Sequence, residues 1–236
     1  MRYTIKQANS VTGGGLTQVS KMPEYTYNLP AHECNVGSEL VNVEGSVCHG
    51  CYALKGLFAR YAKTINPAQY ARLESLQNDD WSDAMAFLIN HYHKHSHVYF
   101  RWHSSGDIQD LNHLIKICHV AFNTPDVFHW LPTREYKVVN EYIEIVGDIP
   151  ANLNIRLSAH MVNQSIPVVP AQLTSSSVYS VDSQEYELFP IYQKPAKSWL
   201  CPAQDQGNKC DGRSEGGINC RACWDRTVKE VTYHKH

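Results

Sequence analysis

Seven of the eight cysteines in this 236-residue chain fall in two short segments, and cysteine thiolates are the usual protein ligands of zinc and iron–sulfur clusters. Each segment ends in a CxxC pair, which places two thiolates on one tight turn, close enough to hold one metal centre. The sequence therefore predicts that the chain folds around a metal or iron–sulfur centre. The first cysteine group is Cys34, Cys48 and Cys51, and the second cysteine group is Cys201, Cys210, Cys220 and Cys223.

The two groups differ in the number of thiolates that they offer. The first, spaced C-x13-C-x2-C, suits a 3Fe–4S cluster, or a 4Fe–4S cluster with one iron left open to bind a substrate or cofactor. His32 or His49 could instead complete a zinc site there. The second, spaced C-x8-C-x9-C-x2-C, could supply all four ligands of a closed zinc site. The groups could also pool their ligands around one cluster, and the spacing leaves these alternatives open.

The rest of the composition bears on where the chain works and on its partners. The polar start, RYTIKQANSVTGGG, and the lack of a long apolar run indicate neither a secretory signal nor a membrane span. We therefore expect a cytoplasmic protein with no membrane partner, and in a reducing cytoplasm grouped cysteines favour metal over disulfides. A net charge of -2 and a pI near 6.7 argue against a strongly electrostatic nucleic-acid binder, although they allow a local basic patch.

Strands and helices alternate in the chain between the two cysteine groups. We predict strands at 97–104, 126–132, 153–160 and 175–181, with helices at 110–123 and 135–147 between them. This alternation predicts βαβ units and a parallel sheet, wound either as a barrel or as an open α/β sheet. Cys118 lies on the apolar side of the helix at 110–123, where we expect a core residue rather than a ligand.

The segments before this repeat are expected to be less regular. Residues 1–30 read as short strands and turns, and three helices follow the first cysteine group: one over 53–63, one starting at Pro67 and one over 81–93. We predict a single α/β domain over residues 1–236. Its parts are N-terminal strands and the first cysteine segment at 1–52, βα repeats at 53–195, and a cysteine-rich closing segment at 196–236.

Three successive predicted strands end in basic residues, and in parallel α/β folds the carboxyl ends of the strands bind ligands. Strand alternation places Arg101 with His103, and Arg156 with His160, while Arg134 follows the strand between them. We predict that these five residues are catalytic and form a basic pocket for a small anionic substrate or a nucleotide. The arginines would hold the anionic group, and His103 or His160 would act as acid or base.

A simpler interpretation of the same residues is structural. The basic groups could pair with Asp107, Glu135 and Asp182 as salt bridges that hold the strand ends together. We favour the pocket because charged residues on consecutive buried strands are costly unless they are used.

Three short motifs carry a resemblance to known proteins: CHGCYA at 48–53, RWHSSGD at 101–107 and CRACW at 220–224. Their combination resembles a group of phage-encoded cysteine-rich proteins known by gene-product names. Those proteins resemble the radical S-adenosylmethionine superfamily, which has a partial (β/α) barrel and a cluster held by three cysteines after the first strand. The resemblance covers roughly residues 30–225. In two respects the sequence departs from the superfamily, whose usual spacing is CxxxCxxC and whose glycine-rich motif for the methionine cofactor is not evident here.

What the resemblance implies is a set of roles for the cysteines. Cys34, Cys48 and Cys51 would hold an iron–sulfur cluster, with S-adenosylmethionine as a possible cofactor, and the second cysteine group would hold a second metal or cap the first. We therefore expect a partial (β/α) barrel in a phage-type iron–sulfur protein of the host cytoplasm. The cluster would lie at the barrel mouth and face the basic pocket. Whether the chain is an enzyme stays open at this point, although the pocket favours one.

Two other functions remain compatible with the sequence. In the first, the chain is a zinc-stabilised module that binds nucleic acid or a host protein through Trp102, Trp130, Trp199 and Trp224. In the second, it is an esterase-like hydrolase with a structural cluster, in which Ser104 or Ser105 works with His103 or His160.

Overall fold

The computed structural model describes residues 3–23, 25–93, 98–180, 198–210 and 217–235. Its strands are β1 (Thr17–Gln18), β2 (Tyr25–Tyr27), β3 (Tyr99–Trp102), β4 (Phe128–Thr133), β5 (Leu153–Ser158), β6 (Thr174–Tyr179), β7 (Ser198–Leu200) and β8 (Glu230–His234). Its α-helices are α1 (Ile5–Val11), α2 (Asn35–Leu40), α3 (Gly56–Arg60), α4 (Ala62–Ser75), α5 (Trp81–His93), α6 (Leu111–Phe122) and α7 (Tyr136–Ile145). Short 3-10 turns cover Ala31–Glu33, Tyr52–Leu54 and Gln204–Gln206.

The eight strands form one sheet in the order β1-β2-β3-β4-β5-β6-β8-β7. Only β1 and β2 pair antiparallel, and every other neighbouring pair is parallel. The prediction of a mainly parallel α/β sheet is therefore confirmed. The sheet is open, because within the described part of the chain its edge strands β1 and β7 do not pair with each other. The partial barrel is not established.

One face of this sheet packs against the helices and forms the main core. Phe100 and Trp102 of β3, with Ile155 of β5, join side chains of α5, α6 and α7 in one apolar cluster. The alternation of a strand explains this, because every second residue points to the same face. Helix α6 begins where Asp110 accepts a hydrogen bond from the His113 N–H at 2.7 Å, the usual arrangement of an N-cap.

The opposite face, which we call the arginine face, is covered by a segment from the far end of the chain. The strand register aligns Arg101 with Trp130, and Trp130 with Asn154. Trp224 packs edge-on against Trp130 with 5.2 Å between ring centroids, and its Nε1 donates to the Phe100 carbonyl at 2.9 Å. The second cysteine segment therefore covers this face of the sheet.

Several predicted elements agree with the structure, and others differ for identifiable reasons. Helix α5 matches the predicted bounds, and α6 and α7 lie within theirs. Helix α1 was not expected in residues 1–30, although Thr4 and Gln7 form a capping box that signals it. The helix expected over 53–63 is instead divided between the 3-10 turn at 52–54, α3 and the start of α4. Strands β7 and β8 were not predicted, and residues 97 and 181 of the predicted strands lie outside the described residues.

Helix α4 shows why one helix boundary was wrong. We placed its start at Pro67, but the helix begins at Ala62 and continues through the proline. The N–H groups of Thr64 and Ile65 both donate to the Tyr61 carbonyl at 2.9 Å, so the first turn has formed before the chain reaches Pro67. Proline lacks a backbone N–H, so it removes one hydrogen bond from a helix whose first turn has already formed. No helix in the described ranges is long and apolar enough to cross a membrane.

Candidate functional site

The first cysteine segment lies across the carboxyl ends of three neighbouring parallel strands. It follows β2, and its backbone and side chains bond to the loops after β3, β4 and β5. Ligands bind at this edge in parallel α/β folds, and we call it the carboxyl edge. The three hydrogen bonds run from Asn35 Nδ2 to the Gln109 carbonyl at 2.9 Å, from the Val36 N–H to Glu135 Oε1 at 3.0 Å, and from the Val47 N–H to the His160 carbonyl at 2.9 Å.

Gly37 opens a space beside two of the three thiols in this segment. A Cβ at that position would lie 3.6 Å from Cys34 Sγ, 3.8 Å from Cys48 Sγ and only 2.9 Å from Cys34 Cβ. The two sulfurs therefore border the same small volume, and any side chain larger than glycine would enter it. Three cysteine thiols, two of which lie side by side at Gly37, are the donor set that the implied cluster requires, so the residues present fit that group by their chemistry.

The charges around the first cysteine group are also those of a cation-binding site. Burial raises the pKa of the Cys34 and Cys48 thiols, and the neighbouring Asp107 raises both further. Negative charge on Cys51 acts in the same direction, whereas the Arg134 guanidinium lowers both pKa values. Without a metal these thiols stay protonated, and a bound cation would be needed to convert them to thiolates.

Asp107 connects the loops that follow β3 and β4. Its carboxylate is buried and accepts hydrogen bonds from Thr133 Oγ1 at 2.7 Å, the Arg134 N–H at 3.0 Å and the Ile108 N–H at 2.8 Å. Burial raises the Asp107 pKa, and these hydrogen bonds lower it. Gly106 precedes it with φ +84°, and a Cβ there would lie 2.6 Å from Leu29 Cβ. The SSGD sequence therefore allows a close backbone approach that sets the position of Asp107.

The structure brings two of the five predicted catalytic residues to the first cysteine group. Arg134 is close enough to act electrostatically on Cys34 and Cys48. The His160 ring stacks on Tyr136 with 4.5 Å between centroids, and its Nε2 lies 3.4 Å from the Arg134 carbonyl. Arg134 and His160 therefore share the carboxyl edge with the three thiols.

His103 lies elsewhere, because the backbone turns at that residue. Strand β3 ends at Trp102, and His103 has φ +52°, a left-handed conformation that interrupts strand alternation. Its ring lies beside Trp102 and beside His113 of α6, on the helix side of the sheet. Arg101 and His103 therefore do not share a face as we had expected. Both ring nitrogens of His103 are buried without a hydrogen-bond partner, and burial lowers its pKa well below the ordinary value.

Arg101 and Arg156 lie on the arginine face with the second cysteine group. Arg156 is fully buried and donates to the carbonyls of Ser175, Ala222, Asp225 and Val228 at 2.6 to 3.4 Å. The Arg101 guanidinium lies 4.4 Å above the Trp130 ring, and its charge lowers the pKa of Cys223. The five residues thus do not form one pocket in this structure. They divide between three places: the carboxyl edge, the arginine face and, for His103, the helix side of the sheet.

The second cysteine group gathers against β8. Cys201, Cys220 and Cys223 pack in one apolar cluster around Val231, and Cys223 Sγ lies 3.1 Å from Tyr233 Oη. Burial, together with the neighbouring thiols of the group, raises the pKa of Cys201 to about 11 and that of Cys210 to about 12. The two groups therefore have different neighbours.

The cysteines are all free thiols, and none forms a disulfide. Among the residues that the structure describes, no three His, Cys, Asp or Glu side chains are placed together as ligands of one metal ion. His32 and His49, the residues that could complete a zinc site in the first group, are both exposed. The thiols of each group are neighbours that must close further to share a metal.

The placement of other residues bears on the two alternative functions. Trp102, Trp130 and Trp224 are buried, and of the four tryptophans proposed as a contact surface only Trp199 is exposed. The hydroxyl of Ser104 donates to Asn28 Oδ1.

The Ser105 hydroxyl donates to the Leu29 carbonyl at 3.0 Å. Since the His103 nitrogens have no partner, neither serine forms a nucleophile–base pair with that histidine.

Sequence reasoning missed some of the residues at the carboxyl edge. Gly37 and Tyr136 were not singled out, and Asp107 and Glu135 were considered only as salt-bridge partners. The signal for Gly37 was its position three residues after Cys34, on the turn that faces the same sulfur.

A separate cleft of about 430 Å³ lies between α4 and α6, and it is lined by Tyr70, Glu74, Gln77, Gln109, Asp110 and His113.

Comparison with known proteins was made at three levels. The model of a protein family described as gene product 88 matches residues 3–226, a range that includes both cysteine groups. No curated protein and no solved structure matches the chain.

Proposed function

This chain belongs to the gene product 88 family, and we propose that it is an iron–sulfur enzyme that acts on a small anionic substrate at the carboxyl edge. The cluster is held by Cys34, Cys48 and Cys51. Arg134 and His160 lie next to it and face the substrate. The observation that carries this proposal is the position of Gly37, which leaves a space bordered by two of the three thiols.

The order of elements supports the proposal. Strand β2 is the first strand of the parallel part of the sheet, and the three cysteines follow it directly. The resemblance to the radical S-adenosylmethionine superfamily implies this same order, with a three-cysteine loop after the first strand. The long spacing between Cys34 and Cys48 is taken up by α2 and a turn, so the thirteen intervening residues do not prevent the two sulfurs from meeting beside Gly37.

A 4Fe–4S cluster with three thiolate ligands would have one iron without a protein ligand, and that iron would supply a binding position for a substrate or for S-adenosylmethionine. The chain's own residues supply the rest. Arg134 offers a planar guanidinium whose donors match a carboxylate or phosphate, and its main chain is held by Asp107. His160 is partly exposed and held by its stack on Tyr136, so it can exchange a proton with a bound group.

The test is purification without oxygen, followed by iron, sulfide and zinc analysis and an absorption spectrum. We expect a brown protein with a broad visible absorption band and matching iron and sulfide contents. The variant Cys48→Ala should lose the iron. Cys118→Ala is the matched control, because Cys118 is a buried cysteine of α6 that belongs to neither group, and it should keep the iron. Unchanged iron in Cys48→Ala, or no iron after anaerobic reconstitution of the wild type, would overturn the proposal.

Binding of an anionic substrate is measured separately from the iron content. Binding of inorganic phosphate or of S-adenosylmethionine to the reconstituted protein can be measured by calorimetry. We expect Arg134→Gln to weaken phosphate binding while the iron content stays unchanged. Equal phosphate binding by the wild type and Arg134→Gln would show that this arginine does not hold the anion.

A further inference from the structure

We infer that the second cysteine group is a separate, closed zinc site that fastens the C-terminal segment to the arginine face of the sheet. The sequence left open whether the two groups share one centre. In the structure the first group lies at the carboxyl edge beside Asp107 and Arg134. The second lies against β8 and the arginine face, beside Arg156 and Tyr233. This inference does not depend on the proposed iron–sulfur function.

Four cysteines of the second group lie in one region, and their thiols must close further to share one ion. Cys201, Cys220 and Cys223 pack in one apolar cluster. The Cys201 N–H donates to the Thr232 carbonyl at 2.8 Å, which ties this cysteine to β8. The Arg221 guanidinium donates to the carbonyls of Cys210 at 2.9 Å and of Cys220 at 2.8 Å, which holds these two cysteines near each other. Four thiolates from one chain complete a tetrahedral zinc sphere, with no open position for a substrate.

The surroundings of these thiols suit the negative charge of a filled site. A zinc ion with four thiolates carries a net charge of about −2. Arg156 is fully buried, and its hydrogen bonds to four backbone carbonyls do not neutralise its charge. The hydrogen bond from Arg156 to the Ala222 carbonyl at 3.1 Å places this charge on the stretch of chain between Cys220 and Cys223. The Tyr233 hydroxyl, 3.1 Å from Cys223 Sγ, is placed to donate to that sulfur once it is a thiolate.

The segment that carries Cys220 and Cys223, which we call the C-terminal turn (220–228), is attached to the sheet at several points. Asn154 Nδ2 donates to the Cys223 carbonyl at 2.9 Å. Arg156 donates to the carbonyls of Ala222 and Val228 at 3.1 Å. The Trp224 ring covers Trp130. Because two ligands lie on this turn and a third, Cys201, follows β7, a zinc ion would hold the turn and the β7–β8 edge in one unit.

The C-terminal turn covers the arginine face of the sheet, so a metal ion that holds this turn would have a structural role. In the described structure the arginine face of β3, β4 and β5 carries Arg101, Trp130, Asn154 and Arg156. If the C-terminal turn left, these side chains would lose the contacts that cover them. Zinc supplies such a fastening without redox chemistry, since its structural sites are closed four-ligand sites. An iron–sulfur cluster on the same four thiolates is the other occupant, and the metal analysis distinguishes the two.

The experiment is metal analysis of the full-length protein and two cysteine variants, purified without oxygen. We expect one zinc per chain in the wild type. Cys220→Ser should lose that zinc and keep the iron of the first group, and Cys48→Ala should keep the zinc. The control Cys118→Ser should keep both metals. Zinc retained in Cys220→Ser, or iron and sulfide lost from it in place of zinc, would overturn the assignment. Failure of the iron–sulfur proposal alone would leave the zinc pattern intact.

Cys220→Ser removes a ligand and can also unfold the chain, so the metal content of this variant does not separate the two effects. The wild type is therefore also tested by removing zinc with a chelator. Trypsin then reports on the C-terminal turn, which contains Arg221 and Arg226. Arg226 donates to the carbonyls of Pro150 and Gln172 in the intact fold. We expect chelation to increase cleavage at these two arginines at least tenfold and added zinc to restore protection. Zinc removal with no change in cleavage would show that the metal does not fasten the turn.

Discussion

The carboxylate of Asp107, after β3, accepts a hydrogen bond at 3.0 Å from the main-chain N–H of Arg134, after β4. The same carboxylate also binds the Thr133 hydroxyl. One buried side chain therefore sets the distance between two strand ends and orients the arginine beside the first cysteine group. Residues that hold a functional group in place are expected to affect both stability and the site.

Replacing Asp107 with Asn should lower the free energy of unfolding by about 1–3 kcal/mol, because an amide cannot accept all three of these hydrogen bonds and one donor is left buried without a partner. Denaturant unfolding at neutral pH measures this. Asp126→Asn is the control, since Asp126 is exposed, and it should stay within about 0.5 kcal/mol of the wild type. Equal stability of the two variants would show that Asp107 does not hold the strand ends.

Replacing Gly37 with Ala should reduce the iron content of the anaerobically purified protein. The added methyl group would lie beside Cys34 Sγ and Cys48 Sγ and only 2.9 Å from Cys34 Cβ, so Cys34 would have to shift from its place in the group. Alanine favours a helix over glycine by about 1 kcal/mol, so any loss of iron is not explained by a weaker α2. Glu39→Ala, an exposed position on the same helix, should keep the full iron content. Full iron content in Gly37→Ala would mean that this space is not used by the cluster.

Acid should destabilise the fold through three buried histidines, His103, His113 and His129, whose pKa values are all lowered by burial. Burial lowers the pKa of His113 to about 4 and that of His129 to about 3, whereas a histidine in the unfolded chain has a pKa near 6.5. Between pH 6.5 and 4 the unfolded chain therefore binds protons that the native protein does not. As the pH is lowered through this window, the free energy of unfolding should decrease, by up to about 1.4 kcal/mol per pH unit for each histidine.

This pH dependence is measured by denaturant unfolding at several pH values between 7 and 4.5. His113→Gln should show a shallower dependence than the wild type, because one titrating group has been removed. His119→Gln, an exposed position on the same helix, should show the wild-type dependence. If His113→Gln and the wild type have the same slope, His113 is not held neutral by burial.

Arg156→Lys should lower the free energy of unfolding by about 2–4 kcal/mol. Lysine keeps the charge but cannot reach the carbonyls that the guanidinium binds, and each charge-assisted hydrogen bond contributes about 1.5–3 kcal/mol. Thermal unfolding compares this variant with Arg60→Lys, a change at an exposed arginine. Unchanged stability with altered phosphate binding would instead favour the substrate role that we first predicted for Arg156.

The sequence by itself determined which candidate ligand residues the chain carries and most of its regular elements. The two cysteine groups, their CxxC pairs and the number of thiolates in each are properties of the chain alone. The alternation of apolar residues also predicted β3 to β6 and α5 to α7, because these elements bury one side or both and so carry a local pattern. Strands β7 and β8 lacked such a signal, and they are defined by their pairing with β6 and with each other.

Only the tertiary structure decided which of these residues meet. The left-handed conformation of His103 turned its ring to the helix side of the sheet. No pattern of residues in the sequence predicted this conformation. Arg156 bonds to carbonyls more than sixty positions away in the chain, so its partners depend on how the C-terminal turn docks. Strand register and long-range docking are set by the packing of the whole sheet. For this reason the sequence indicated one basic pocket, whereas the structure divides its residues among the carboxyl edge, the arginine face and the helix side of the sheet.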